Sequence, residues 1–283
     1  MNKVFLHSKN DELKYIQHLY YLLLIFALFG IYKNGVIPYQ NNLITLINVF
    51  KPLFLIVISV GISFISSLLF KEKFFSYRLI SNTLIGLLVM PNISYIIYIA
   101  ILVILNVMYH FIRFNIPSFY MVISSIVLIV MHNYSYLNSY EATHSLKYGF
   151  LDYLFGKGYG GIGNTFLLLT IILAIIYICI KQYKKHIVIS FMITHVLLTI
   201  VYCFITKDLS IGNIINNNIL FGTVFVATLP LYSPYTRGGC YLYGVTLAII
   251  CFASAFWDIN LGFYIGISLL SVLSKVLDKP FVR

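Results

Sequence analysis

Charged residues are scarce in this chain of 283 residues: they make up 10% of it, whereas apolar residues make up 60%. Soluble domains carry about 25% charged and about 45–50% apolar residues. The 19 basic and 8 acidic side chains cannot cover a water-soluble fold of this size, so the composition predicts an integral membrane protein. Cytoplasmic loops explain the net charge of +11, and no nucleic-acid partner is expected.

The chain also lacks the cysteine spacings that bind metals or form disulfide frameworks. Its four cysteines include no CxxC pair and lie in or beside apolar segments, where they are expected to pack as small apolar residues. The first thirteen residues are mainly polar, and no small-residue cleavage site follows the first apolar run. A cleaved signal peptide is therefore not expected.

Acidic residues are missing from the middle of every apolar run. A proton pump usually keeps a carboxylate within the membrane, so this absence argues against a self-contained carboxylate relay. Four histidines lie within or near apolar runs, but no two of them have the spacing that puts both on one helix face: His18, His110, His132 and His195. His18 and His110 are both expected towards the cytoplasmic side, where they could face each other and bind a haem. A haem-binding cytochrome is therefore an alternative.

Long apolar runs dominate the rest of the chain. Crossing about 30 Å of hydrocarbon takes about 20 helical residues. Ten runs approach that length: 14–32, 51–70, 79–92, 94–112, 117–137, 164–181, 186–206, 213–232, 240–257 and 259–276. The sequence therefore predicts an all-α polytopic membrane protein with about ten transmembrane helices in a single membrane domain.

The basic residues orient these runs. With ten spans and a cytoplasmic N-terminus, 14 of the 19 basic residues fall on the cytoplasmic side. The other five fall outside: Lys33, Lys51, Lys147, Lys157 and Lys207. Positive charge accumulates in cytoplasmic loops, so both termini are expected in the cytoplasm of a bacterial cell, with the chain in its cytoplasmic membrane.

The ten runs divide into two sets of five, residues 1–137 and 164–283, joined by an external segment, 138–163. In each set the third run is short and polar and is interrupted by a proline, Pro91 or Pro230. Matching interruptions in halves of opposite orientation are typical of an inverted repeat. The sequence thus predicts two inverted five-helix repeats with interrupted third helices, and coincidence between two proline-containing loops is the alternative.

The external segment 138–163 contains five glycines between Gly156 and Gly163. Glycine is the residue used where the backbone needs unusual dihedrals or approaches another segment closely. We therefore expect one or both of these features in this part of the chain.

The stretch FVATLPLYSPYTRGG, residues 225–239, lies between two very apolar parts of the chain. Proline frees backbone carbonyls, and in lipid each freed group needs a partner, which Thr228, Ser233 and Thr236 can supply. Arg237 and the following glycine amides precede the ninth run, where a helix N-terminus favours an anion. Either a phosphate-bearing cofactor or a simple anchored turn would use this geometry.

Four blocks of the sequence together resemble a known family. They occur in the family's order: SNTLIGLLVMPNIS (81–94), FNIPSFYMV (114–122), GYGGIGNTFLLLTIILAIIYI (158–178) and VATLPLYSP (226–234). The chain thereby resembles the D subunit of the Rnf electron-transport complex and the B subunit of the sodium-pumping NADH:quinone reductase. The resemblance implies a membrane subunit of an ion-translocating electron-transport complex, not an enzyme acting alone.

The resemblance also implies a cofactor site. In this family a threonine of the external loop carries FMN through a phosphate ester, and YEATHSL puts Ala142 and Thr143 at the matching positions. The charge pattern independently predicts that Thr143 lies outside. Gly160, Gly161, Gly163 and Thr165 follow in the glycine-rich block as further candidate cofactor residues. The implied cofactor is covalent FMN, with riboflavin or a quinone as alternatives, and the implied partners are other subunits, a flavin transferase and the lipid bilayer.

The sequence departs from the family pattern at several positions. Near the threonine, Glu141 replaces a glycine, His144 a proline and Leu137 an aspartate, and Leu229 stands where the family usually has an aspartate. These losses favour a second hypothesis, a non-redox transporter, channel or scaffold subunit. In that case an ion or solute path would be lined by Gly86, Pro91, Thr228, Pro230 and Ser233. No catalytic or metal-binding residues are predicted.

Overall fold

The computed structural model describes residues 9–131, 151, 154–156, 161–180, 183–206, 217–254 and 259–281. Regular structure within these ranges is helical, with no strand among them. The helices are α1 Lys9–Ile31, α2 Ile37–Gln40, α3 Leu46–Val49, α4 Lys51–Leu69, α5 Tyr77–Leu88, α6 Tyr95–Ile112, α7 Ile116–Met131, α8 Leu167–Ile178, α9 Lys185–Thr206, α10 Asn217–Phe221, α11 Arg237–Ser254 and α12 Ile259–Asp278. Two π-helical turns, Tyr32–Val36 and Gly222–Val226, and a final 3-10 turn, Lys279–Phe281, complete the set.

Five helical segments of the described residues are long and apolar enough to cross a membrane: Glu12–Gln40, Lys51–Leu69, Tyr95–Ile112, Lys185–Ile205 and Arg237–Ser254. They confirm a multi-pass, all-α membrane protein. The count of ten spans and the inverted repeat stay predictions.

The first membrane segment is longer than the predicted run 14–32. Its helix passes through the π-helical turn Tyr32–Val36 and continues to Gln40. Lys33 and Asn34 are buried in that turn, so the lysine that was interpreted as the start of an external loop lies inside the fold. The prediction ended too early because a charge after an apolar run usually marks a loop.

The chain divides into two compact units. The N-terminal unit covers Glu12–Leu173, and the C-terminal unit is built mainly from Ala174–Arg283. Helix α8 therefore begins in one unit and ends in the other.

Helix α5 forms the centre of the N-terminal unit. Every residue of it from Arg78 to Leu88 is buried, and it packs against α4 and α7. Its 12 residues reach only about 18 Å at about 1.5 Å per residue, well short of the hydrocarbon thickness. Val89 then adopts an extended conformation two residues before Pro91, so the third predicted run is indeed only partly helical.

In the C-terminal unit α11 packs against both α9 and α12. Gly244 of α11 permits the close approach to α9, since a Cβ there would lie 2.0 Å from Ser190 Oγ and 2.5 Å from the Ile187 carbonyl oxygen. In the eighth predicted run, α10 and the π-helical turn end at Val226, four residues before Pro230. The chain then passes through turns at 227–236 before α11 begins.

Candidate functional site

The glycine-rich segment, residues 161–163, is fastened to the end of α5. The Ile162 amide donates to the Val89 carbonyl at 2.9 Å, and the Gly163 amide donates to the Leu87 carbonyl at 2.7 Å. The last carbonyls of a helix have no partner within the helix, and in a membrane they must find one elsewhere. The segment therefore supplies donors to two of the carbonyls that the early end of α5 leaves open.

Two glycines make this approach possible. A Cβ on Gly161 would lie 2.3 Å from the Leu88 carbonyl oxygen, and one on Gly163 would lie 2.5 Å from Leu87 Cδ2. Gly156, earlier in the same block, has a φ of +82°. The expected close approach and unusual dihedral both occur. The candidate residues Ala142, Thr143 and Gly160 lie outside the described residues.

The other side of the segment is held by the first membrane helix. Asn34 Nδ2 donates to the Gly30 carbonyl at 3.1 Å and to the Ile162 carbonyl at 3.0 Å. Gly30 permits this contact, because a Cβ there would lie 2.4 Å from the Ile162 carbonyl oxygen. Sequence reasoning missed Asn34, and a polar residue just past an apolar run gave no signal that distinguished it from a loop residue.

Three further candidate residues lie close to this junction. Thr165 is buried two residues beyond Gly163, and Pro91 is buried two residues beyond Val89. Gly86 faces α4, and a Cβ on it would lie 2.8 Å from Ser59 Oγ. Small residues of this kind let membrane helices approach closely, so Gly86 serves the packing of α4 against α5.

A buried arginine marks the opposite end of α5. Arg78 is fully buried and makes two 3.0 Å bonds to the Glu72 carboxylate, one from Nε and one from Nη2. Its Nη1 donates to the Asn106 carbonyl at 2.9 Å, and Asn106 exchanges two 3.0 Å side-chain bonds with Asn82. The sequence had assigned Arg78 to a cytoplasmic loop. Arg78 thus pairs with a part-buried carboxylate and, through Asn106, ties α5 to α6.

In the C-terminal unit, two of the three predicted hydroxyl groups donate to carbonyls of the broken helix, whereas the Thr236 hydroxyl donates to the Asp278 carboxylate. Thr228 Oγ1 donates to the Val224 carbonyl at 2.6 Å, and Ser233 Oγ donates to the Leu229 carbonyl at 2.8 Å. The Tyr183 hydroxyl also donates to the Val224 carbonyl, at 3.2 Å. A π-helical turn displaces carbonyls from the regular pattern, and these side chains supply the missing donors.

The carbonyls at the end of the break bind a buried lysine. Lys184 is fully buried, and its Nζ donates to the Ser233 carbonyl at 3.1 Å, to Ser233 Oγ at 2.9 Å and to the Pro234 carbonyl at 2.8 Å. The same nitrogen lies 4.7 Å from the centre of the Tyr235 ring. Burial lowers the pKa of Lys184 to about 8, although the charge of Asp278 acts in the opposite direction.

The amides that follow bind a carboxylate. Asp278 accepts hydrogen bonds from the amides of Tyr235 at 2.8 Å and Thr236 at 3.0 Å, and from the Thr236 hydroxyl at 2.6 Å. That hydroxyl also accepts a hydrogen bond from the Gly239 amide, at 3.0 Å. The start of α11 thus holds an anion from its own chain, and the structure favours the anchored turn over the phosphate site.

The candidate path residues fall into two sets in different units. Gly86 and Pro91 belong to the N-terminal unit, and Thr228, Pro230 and Ser233 belong to the C-terminal unit. All five are buried.

The histidine pair gains no structural support. His110 stacks on Phe70 with ring centres 4.0 Å apart, and His18 is exposed on α1. No group of three or more His, Cys, Asp or Glu residues that could hold a metal ion occurs in the part of the chain that the structure describes. Cys240 and Cys251 are buried, as expected for packing residues, whereas Cys203 is half-buried and Cys179 is exposed.

One family model matches a range of the chain that contains three of the four resembling blocks. A family model described as the NQR2, RnfD, RnfE family matches residues 107–281, which is more than half of the chain. That range contains the blocks at 114–122, 158–178 and 226–234, whereas the block at 81–94 precedes it. No curated protein matches the chain as a relative. The family match nevertheless spans enough of the sequence to decide the assignment: the chain belongs to the NQR2, RnfD, RnfE family.

Proposed function

We propose that this chain carries electrons through an FMN bound near the outer membrane face, covalently attached to Thr143. Its family makes it a membrane subunit of Rnf- and Nqr-type complexes. The other subunits of such a complex would donate and accept the electrons and couple their transfer to ion movement. When bound, FMN would supply the redox chemistry, and the protein would hold and orient it.

The observation that supports this proposal is the fastening of the glycine-rich segment to α5. Thr143 precedes this segment in the same predicted external connection, and the segment's amides donate to the carbonyls of Leu87 and Val89. Sites supported by rigid elements hold their ligands more accurately than sites on free loops. The junction therefore provides a fixed base for the loop that would carry the flavin.

The described residues fit the base of such a site, not a phosphate cradle. The amides of Ile162 and Gly163 are used by α5 carbonyls, and the space beside Gly161 and Gly163 is filled by Leu87 and Leu88. We therefore assign to Gly161 and Gly163 the role of anchoring the loop, with Thr165 buried beside them. The Thr143 hydroxyl would form the ester with the phosphate, and Ala142 and Gly160 stay candidate cofactor residues from the resemblance.

Mass spectrometry of the purified chain tests the covalent bond. Cleavage after Arg113 and Lys147 releases a single peptide, residues 114–147, that contains Thr143. Chain produced with an active flavin transferase should carry the mass of FMN on this peptide. Ser145→Ala should keep the adduct and Thr143→Val should lose it. An unmodified wild-type peptide, from cells whose transferase labels another substrate, would overturn the proposal.

A non-redox transporter, channel or scaffold subunit is the second candidate, and one observation favours it. Leu229 is fully buried where the family usually has an aspartate, so no carboxylate is available at this position. An absorption spectrum of the purified chain separates the two functions. A flavin spectrum supports the redox subunit. Denaturation would then release bound riboflavin into solution, whereas covalent FMN would stay on the chain. A colourless chain that transports solute in vesicles supports the alternative.

A further inference from the structure

The head group of Lys184 is bound in the way a protein binds a small cation. Two backbone carbonyls and one hydroxyl, from Ser233 and Pro234, point their oxygens at the nitrogen from 2.8–3.1 Å. The Tyr235 ring, 4.7 Å away, adds the negative face of an aromatic system. Carbonyl and hydroxyl oxygens with an aromatic face recognise a positive charge and offer nothing that is specific to lysine.

We propose that Ser233 and Pro234 form a monovalent-cation site that the ammonium group of Lys184 occupies as a tethered cation. The chain thereby carries its own cation at this position, and a free ion enters only when the head group is removed. This inference is independent of the flavin proposal, because every residue involved lies in the C-terminal unit.

The local backbone explains why oxygens gather here. The helical segment that contains the π-helical turn ends at Val226, and the chain turns through 227–236 before α11 begins. Carbonyls at an interrupted membrane helix have lost their helical donors, and such carbonyls coordinate cations in many membrane proteins. The Cys240 thiol adds only a weak donor to the Pro234 carbonyl, at 3.3 Å. A cation is therefore the partner that satisfies these oxygens best.

Charge balance supports a single positive charge at the site. Asp278 binds the amides of Tyr235 and Thr236, immediately after the two carbonyls that bind Lys184. Four consecutive residues thus hold a cation at one end and an anion at the other. A buried charge is costly unless it is paired, and the charge of Asp278 offsets part of the cost of burying the ammonium group.

The geometry also predicts which ions can replace the ammonium. Its oxygen distances suit an ammonium ion, a methylammonium ion or K⁺, whose radius is close to that of ammonium. Na⁺ is smaller and would bind these oxygens less well. Lys184 is fully buried, so the volume of the missing side chain is available to the replacing ion and its water.

Thermal unfolding of the full chain in detergent at neutral pH tests the proposal. The variant is Lys184→Ala, and the matched control is Lys185→Ala, which removes the adjacent, exposed lysine. Each protein is heated in chloride salts of K⁺, methylammonium, Na⁺ or N-methylglucamine at equal ionic strength. Wild type and K185A should each unfold at one temperature in all four salts.

K184A should unfold early in N-methylglucamine, and its midpoint should rise saturably by about 3 °C or more in K⁺ or methylammonium. Na⁺ should raise it less. A midpoint of K184A that is equal in all four salts would overturn the proposal. So would a wild-type protein with the same cation dependence as K184A.

Lys184→Met separates a site from a general salt effect. Methionine fills much of the space of the lysine stem but leaves no room for an ion, so K184M should be destabilised equally in every salt. A response of K184M that matches that of K184A would contradict the proposal. Bacterial cells are rich in K⁺, so K184A should also accumulate as folded protein. Its failure to accumulate would count against a site that accepts a replacement cation.

Discussion

The two interrupted helices solve the same problem in different ways. At the end of α5, the backbone amides of Ile162 and Gly163 donate to the carbonyls of Val89 and Leu87. In turns 227–236, the charged side chains of Lys184 and Asp278 satisfy the open carbonyls and amides. One junction is made of neutral backbone, and the other is made of ions.

This difference determines what each junction is sensitive to. The neutral junction depends on close approach, so it should be broken by any side chain larger than that of glycine. The ionic junction depends on charge, so it should respond to loss of a charge, to pH and to cations. Both supply partners to backbone groups that would otherwise stay unsatisfied in lipid.

The largest effect is expected for Gly161→Ala at the neutral junction. The new methyl group would lie 2.3 Å from the Leu88 carbonyl oxygen, which belongs to the backbone and cannot rotate away. We expect the free energy of unfolding to fall by about 3 kcal/mol, from overpacking and the loss of two hydrogen bonds. Unfolding in mixed micelles measures it.

Gly61→Ala is the matched control for that substitution. Gly61 lies in α4, and a Cβ there meets nothing within 4 Å. It should raise stability by up to about 1 kcal/mol, because alanine is the better helix former. Equal losses in the two variants would show that glycine at 161 is not required for close approach.

The next largest effect is expected for Asp278→Ala at the ionic junction. It leaves the amides of Tyr235 and Thr236 without their charged acceptor and should cost about 2 kcal/mol. Lys279→Ala, next to it and exposed, should change stability little. A loss in D278A no greater than in K279A would contradict the role assigned to the carboxylate.

A smaller effect is expected from pH, and only at the ionic junction. The pKa of Lys184 is lowered from its ordinary value of 10.5 to about 8, so between these values the unfolded chain binds one more proton than the folded chain. Stability from this group therefore rises with pH in that window, by about 1 kcal/mol between about pH 7.5 and about pH 9. Unfolding at several pH values measures it. The rise should disappear in K184M and persist in G161A.

The smallest effect is expected for Gly86→Ala, which alters the packing of α5 without touching its end. Its methyl group would meet Ser59 Oγ at 2.8 Å, and this oxygen also bonds to the Leu55 carbonyl and the Tyr98 hydroxyl. The better helix propensity of alanine offsets part of the clash, so the net loss should stay below about 1 kcal/mol. Unfolding in the same mixed micelles measures it, and a loss as large as that of G161A would show that packing, not carbonyl pairing, governs α5.

Most helices could be predicted from the sequence, because a helix that crosses the bilayer has to be long and apolar. Helix α4, Lys51–Leu69, and helix α6, Tyr95–Ile112, agree with the predicted runs 51–70 and 94–112 within a residue. The interruptions near Pro91 and Pro230 were predictable as well, because proline lacks the amide that a helix needs. The first run was predicted to end too early, because burial of Lys33 depends on tertiary contacts.

The partners at the two interruptions could not be predicted. Lys184 is 50 residues from Pro234, and Asp278 is 42 residues from Thr236. Both resemble ordinary charges at the edge of a membrane segment, and nothing local in the sequence indicates which distant backbone they bind. The same holds for Asn34, 128 residues from Ile162. The flavin site at Thr143 stays a prediction from resemblance.

The pairing of Gly163 with Leu87 has a consequence for biosynthesis. Helix α5 leaves the ribosome well before the segment that binds its end. About 75 further residues are translated before Gly163 can pair with the carbonyl of Leu87. At about 5–20 residues per second this delay is roughly 4–15 s. During that interval the unfinished end of α5 is unsuited to lipid and needs a protected, hydrated place, such as the insertion machinery offers. Insertion of the N-terminal unit is therefore complete only once the glycine-rich segment has been translated.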